Sequence, residues 1–343
     1  MLLPTANPRH NLYARTINRM GWSMLFFVAL FSTTTGVSSS LLIVRDLLST
    51  PQSYRILTAI YGFLAPVCYA APFFLTGLFY YAISRKIRAE KPSFDVRIPR
   101  EFPLLVFGGM AILTAAAYVN AEFCDLIGYV IPEEMMISES YDSPSVIAQY
   151  MLVAIAPAFA EEFLFRGVFY SNLRPFGRTQ AVLVSSLLFA LMHQNIGQFF
   201  YTFVGGIAMT LIYEITGSIW CSIFFHLFNN EMAILSEVLY FGQYGEAAVP
   251  YLSILEAVLF LLGIVSIIVL IVYYRKKDAI QASSQKGIYG VQGETYGRYE
   301  QPLKARSVIK GLLTPGMIVF TTIECLLMLS VWLGLLLIGG GGV

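Results

Sequence analysis

"YMLVAIAPAFAEEFLFRGVFYSNL", Tyr150–Leu173, decides how this chain is read. The stretch is almost wholly apolar, and as a helix rising ~1.5 Å per residue it is long enough to cross a bilayer. Near its middle stand Glu161, Glu162 and Arg166. What three charged groups cost inside a greasy helix depends on the solvent around it, so the composition of the whole chain comes next.

The 343 residues are 57% hydrophobic and 13% charged, with net charge +1 and mean hydropathy +0.68. Soluble domains carry about 25% charged residues. The chain therefore reads as an all-α, polytopic transmembrane bundle rather than a soluble protein with a large core. A balance near neutrality gives no reason to expect nucleic acid, so membrane lipids are the partners implied. The first apolar run begins near Met20 and is too long for a signal-peptide core, so no cleavable signal is expected. Cys68, Cys124, Cys221 and Cys325 form no CxxC pair, and neither a thiol metal site nor a disulfide framework is suggested.

Nine candidate spans follow at about 20 residues each. They are Trp22–Val44, Ile56–Ser84, Pro103–Phe123, Val146–Leu173, Thr179–His193, Phe199–Tyr213, Ser218–Leu239, Tyr251–Tyr274 and Leu312–Ile338. The fifth and sixth are short and read equally well as one broken hairpin inside the protein. The organisation expected is 1–145 as tail and three spans, 146–240 as a polar-centred core, 241–274 as the eighth span, 275–311 as a flexible cytoplasmic loop and 312–343 as the last span and tail. Basic residues cluster at Arg9–Arg19, Arg85–Arg100, Arg174–Arg178 and Arg275–Lys277. The loop Asp125–Asp142 has five acids and no base. The positive-inside rule then puts the N-terminus in the cytoplasm; Arg45 and Arg55, in the first outer loop, run against it.

Ionisable groups deep in a membrane helix cost at least ~2.5–3.5 kcal/mol each and are usually paired or functional. Glu162 and Arg166 are four apart with the acid first, the favourable order for an ion pair. Glu161 is turned about 100° away by the helical period and has no partner on its own helix. A buried, unpaired carboxyl can take a proton from water. Glu161 is thus the candidate reactive acid and Glu162–Arg166 its brace. Of three histidines, His10 lies in the basic tail, read as solvated. His193 closes "FALMH" and His226 opens "HLFNN", with Asn230 four residues on. Counted from the cytoplasmic helix ends at roughly 1.5 Å per residue, Glu161 lies ~18 Å deep, His193 ~21 Å, His226 ~12 Å and Asn230 ~18 Å. One polar layer near mid-membrane is the expectation. Read blandly, Glu162–Arg166 is a structural pair, His193 a helix-end residue, and His226 with Asn230 interhelical glue.

"EEFLFR", "FALMH" and "HLFNN" fit the patterns Glu-Glu-x-x-x-Arg, Phe-x-x-x-His and His-x-x-x-Asn. In order and spacing they resemble the CAAX-protease and bacteriocin-processing (CPBP, or Abi) family of intramembrane endopeptidases, similar to the Ras-converting CAAX endopeptidase. The resemblance covers roughly Val146–Leu239. It implies that Glu161 and His193 activate a water, that His226 and Asn230 hold the oxyanion, and that Phe189 packs beneath His193. It implies no metal cofactor, a protein or peptide substrate whose tail is membrane-anchored or lipidated in some relatives, and residence in a cell membrane, taken as bacterial. Two other readings stay open: a zinc metalloprotease with Glu161, His193 and His226 as ligands, and a non-catalytic membrane scaffold or immunity protein.

Overall fold

The computed structural model describes residues 8–48, 50–85, 94–129, 147, 150–285 and 303–339. Ten helices and no strand are found among them. We label them α1 (Pro8–Leu47), α2 (Pro51–Ile83), α3 (Phe102–Leu126), α4 (residues 150–173), α5 (Arg178–Leu191), α6 (Ile196–Thr216), α7 (Ile219–Glu237), α8 (Val249–Gln285), α9 (Ala305–Leu312) and α10 (Pro315–Gly339). The acid-rich loop at 130–146 falls outside the described residues.

Among the described residues, six helices are long and apolar enough to cross a membrane: α1, α2, α3, α6, α8 and α10. The chain is an integral, multi-pass membrane protein. The other three of the nine expected spans, α4, α5 and α7, do not meet that standard. α5 has 14 residues, about 21 Å at 1.5 Å per residue, short of a ~30 Å hydrocarbon layer. α4 and α7 hold the polar residues that define the centre of the molecule. α6, with 21 residues, is long and apolar enough to cross on its own, and the fifth and sixth segments are two helices of unequal length joined at residues 192–195.

At the centre, α4 packs against both α5 and α7. α2 lies against α4, α6 against α5 and α7, and α3 against α6 and α8; α10 closes on α1. Apolar burial gives little drive between helices in lipid, so close packing and internal polar contacts must hold them. The α1–α10 seam shows the first device. A Cβ on Gly21 would run into the backbone of Gly316, and one on Gly316 into the backbone of Asn18. Asn18 Oδ1 accepts the Gly316 N–H at 2.8 Å. Aromatic edges fill the inner core, with Phe27–Phe73 ring centres 4.7 Å apart and Phe165–Phe189 5.3 Å apart.

α4 departs from the single regular helix that its sequence suggests. It is α-helical at Ala156–Glu162, between wider π-type turns at Tyr150–Ile155 and Phe163–Tyr170. Ser171 Oγ donates to Arg166 O, five residues back, at 3.0 Å, and Pro157 has no N–H to give to a regular ladder. Such bulges recur at functional sites. The polar segment 275–311 is helical at both ends, as α8 runs on to Gln285 and α9 begins at Ala305. Residues 286–302 of that segment lie outside the described residues. His10 is not simply solvated: its Nε2 lies 3.2 Å from Ser307 Oγ of α9.

Candidate active site in the membrane core

α4, α7 and the corner after α5 bring polar residues to a cavity of ≈ 550 Å³. Its wall includes Glu161, Phe189, His193, His226, Asn229 and Asn230, with Tyr69 from α2 and Tyr201 from α6. The four residues expected in one polar layer thus line one space.

The two neighbouring acids have different surroundings. Glu162 is wholly buried, and its Oε1 accepts from Arg166 Nη1 at 2.7 Å and from His226 Nδ1 at 2.9 Å. Ser222 Oγ donates to its Oε2. Arg166, the bulkiest fully buried side chain, also donates to Gly206 O at 3.0 Å and Thr210 Oγ1 at 3.3 Å. Its guanidinium lies 4.6 Å over the Phe189 ring. Each of the three guanidinium nitrogens therefore has an acceptor, as a buried charge requires. The brace expected from the i, i+4 spacing is present, but it reaches further than one pair, because it also holds His226.

Glu161 is 2% exposed. Tyr69 donates its hydroxyl to Oε1, so the acid does have a partner, on a different helix. Oε2 has none and faces His226 Nε2 at 3.8 Å. Tyr69 sits between Pro66 and Pro72, which each remove a ladder bond from α2.

The histidines are oriented from behind. His193 Nδ1 lies 2.8 Å from Phe189 O. A carbonyl only accepts, so Nδ1 carries the proton and Nε2 of the neutral ring keeps its lone pair. Phe189 packs edge-on to the His193 ring at 5.0 Å. His226 Nδ1 donates to the ionised Glu162 by the same logic, so His226 can donate through Nε2 only as imidazolium. Asn230 spends one amide N–H on Val153 O at 3.0 Å and has a second to offer. Asn229 Oδ1 accepts from Tyr201 at 2.8 Å.

No three His, Cys, Asp or Glu side chains are grouped to hold a metal among the described residues. Glu161, His193 and His226, the set a zinc reading draws on, line one cavity without forming such a group.

Sequence reasoning passed over Tyr69, Ser222, Thr210 and Tyr201. Ser222 had a signal, lying four residues before His226 and thus on its face of α7. Tyr69 had none in one dimension.

A multi-pass helical bundle with a Glu–His–Asn cavity among its helices defines a membrane protein with a polar site in its core. Residues 143–232 match the family described as Rce1-like, type II CAAX prenyl endopeptidase, in line with the resemblance that the three motifs carry. The match spans about a quarter of the chain and includes all four polar residues. No curated protein and no solved structure matches the chain.

Proposed function

We propose that this protein is an intramembrane endopeptidase in which Glu161 and His193 activate a water while His226 and Asn230 hold the oxyanion. One observation carries the reading: the free Oε2 of Glu161 lies in the same cavity as His193, His226 and Asn230. A buried carboxylate oxygen without a donor is costly, and a water would satisfy it.

In the proposed reaction Glu161 takes a proton from that water, with His193 Nε2 accepting its second hydrogen bond. The water oxygen bonds to the scissile carbonyl carbon and the carbonyl π electrons move to oxygen. The oxyanion is met by Asn230 N–H and imidazolium His226, whose charge Glu162 balances from behind. Collapse re-forms the carbonyl, breaks C–N, and the leaving nitrogen takes the proton from Glu161. Donors fixed in advance in a water-poor site give such stabilisation its strength. Tyr69 holds Glu161 by one oxygen and leaves the other to react.

The substrate class follows from the family's description: a peptide ending in a prenylated Cys-a-a-X sequence. We place the cavity mouth and the N-terminus on the cytoplasmic side, from the basic loops; the cell membrane of a bacterium is the setting proposed. The test is cleavage of a fluorogenic farnesylated Cys-a-a-X peptide by the purified protein, with Glu161→Gln as control. Cleavage by the native protein and not by the variant supports the reading; equal cleavage by both removes it.

A further inference from the structure

α10 lies outside the matched family segment, yet it carries a carboxyl that the proposed reaction does not use. Glu324 is the sole charged residue from Pro315 to Gly339 and is fully buried. An ionisable side chain within a membrane helix is costly and usually marks function. No ion pair reaches it among the described residues. Its Oε2 has no hydrogen-bond partner, and its Oε1 accepts from Gln194 Nε2 at 3.4 Å.

Gln194 follows His193 directly. It is the only described non-glycine residue with positive φ, 53°, a conformation that L side chains seldom adopt and that surroundings must enforce. The corner 192–195, which includes His193, turns the chain from α5 into α6. Other helices also pin this corner. Tyr129 donates to Asn195 Oδ1 at 2.7 Å, and Asn120 Nδ2 donates to Gly197 O at 2.5 Å. α10 packs against both α5 and α6.

We infer that Glu324 is a positioning residue: by holding Gln194 in its left-handed turn, it fixes the ring of His193 in the cavity. The inference rests on the reading of His193 as a member of the water-activating pair. A purely structural role would show as lost stability. A positioning role loosens His193 without it, and Glu324→Met removes a costly buried acid, so that variant should melt no lower than the native protein.

The experiment uses diethyl pyrocarbonate, which acylates unprotonated imidazole nitrogen, with each histidine read separately by peptide mass mapping of the full chain in detergent. Losing one hydrogen bond of about 1 kcal/mol sets a factor of about five. His193 labelling should rise by about that factor in Glu324→Met, with His10 unchanged, and Glu324→Gln should restore the native rate. Gln194→Ala breaks the contact from the other side and should give the same rise, with no further rise in the double variant. Native His193 labelling rates in both Glu324→Met and Gln194→Ala overturn the inference. Labelling needs no substrate, so its failure is separate from a failure of the peptidase reading, which the Glu161→Gln assay judges.

Discussion

Replacing Glu162 by Gln removes the only anion that Arg166 touches among the described contacts. Gln keeps the shape and one acceptor oxygen, but it places an NH₂ where Ser222 Oγ now donates. Arg166 is then left as a fully buried cation with Gly206 O, Thr210 Oγ1 and the Phe189 face as neutral partners. Breaking a buried pair from one side typically costs ~3–5 kcal/mol. At about 2 °C per kcal/mol for a large domain, thermal unfolding in detergent should begin roughly 6 °C lower or more. Adding Arg166→Met removes the stranded charge. Gly206 O keeps a donor, because Thr210 Oγ1 bonds it at 2.7 Å, so the double variant should recover more than half of the loss. The assay is melting of both variants beside the native protein. Glu162→Gln melting with the native protein, or the double variant melting below the single one, would refute the argument. Activity per folded molecule should fall as well, since His226 loses the carboxylate that orients Nδ1.

Three further outcomes are expected. Asn230→Ala should lower kcat by ~10²–10³, the usual cost of one oxyanion donor, with KM and melting little changed. Tyr69→Phe should leave the fold intact and lower turnover by about fivefold, as one hydrogen bond to Glu161 is lost; unchanged turnover would show that Tyr69 does not matter to the acid. A cysteine at Asn229, on the cavity wall, should react with a membrane-impermeant maleimide from the cytoplasmic face of sealed vesicles, in a chain whose four native cysteines, all unpaired, are replaced; reaction only from the other face would reverse the proposed orientation.

Membrane residence and helical class were legible because apolar runs of this length have few other uses. The polar centre was legible for the complementary reason: acids and histidines stand out in such runs. Span number was harder, because α5 is apolar but too short and α4 is wide-wound around its acids, and length in sequence does not reveal either. The i, i+4 rule found Glu162–Arg166 but not His226 on the same carboxylate, a contact made between helices 64 residues apart. Tyr69 was hidden among 21 tyrosines. Glu324 is different: a lone acid in an apolar span was visible, and no motif drew attention to it.

The central claim is that Glu161 is the reactive acid and Glu162 the one that orders the site. It is tested most directly by kcat per folded molecule of Glu161→Gln on the farnesylated peptide. The account predicts a fall of ~10²–10⁴, as for loss of a general base, with melting unchanged. Full turnover by Glu161→Gln, with Glu162→Gln inactive yet as stable as the native protein, would contradict it and exchange the roles of the two acids.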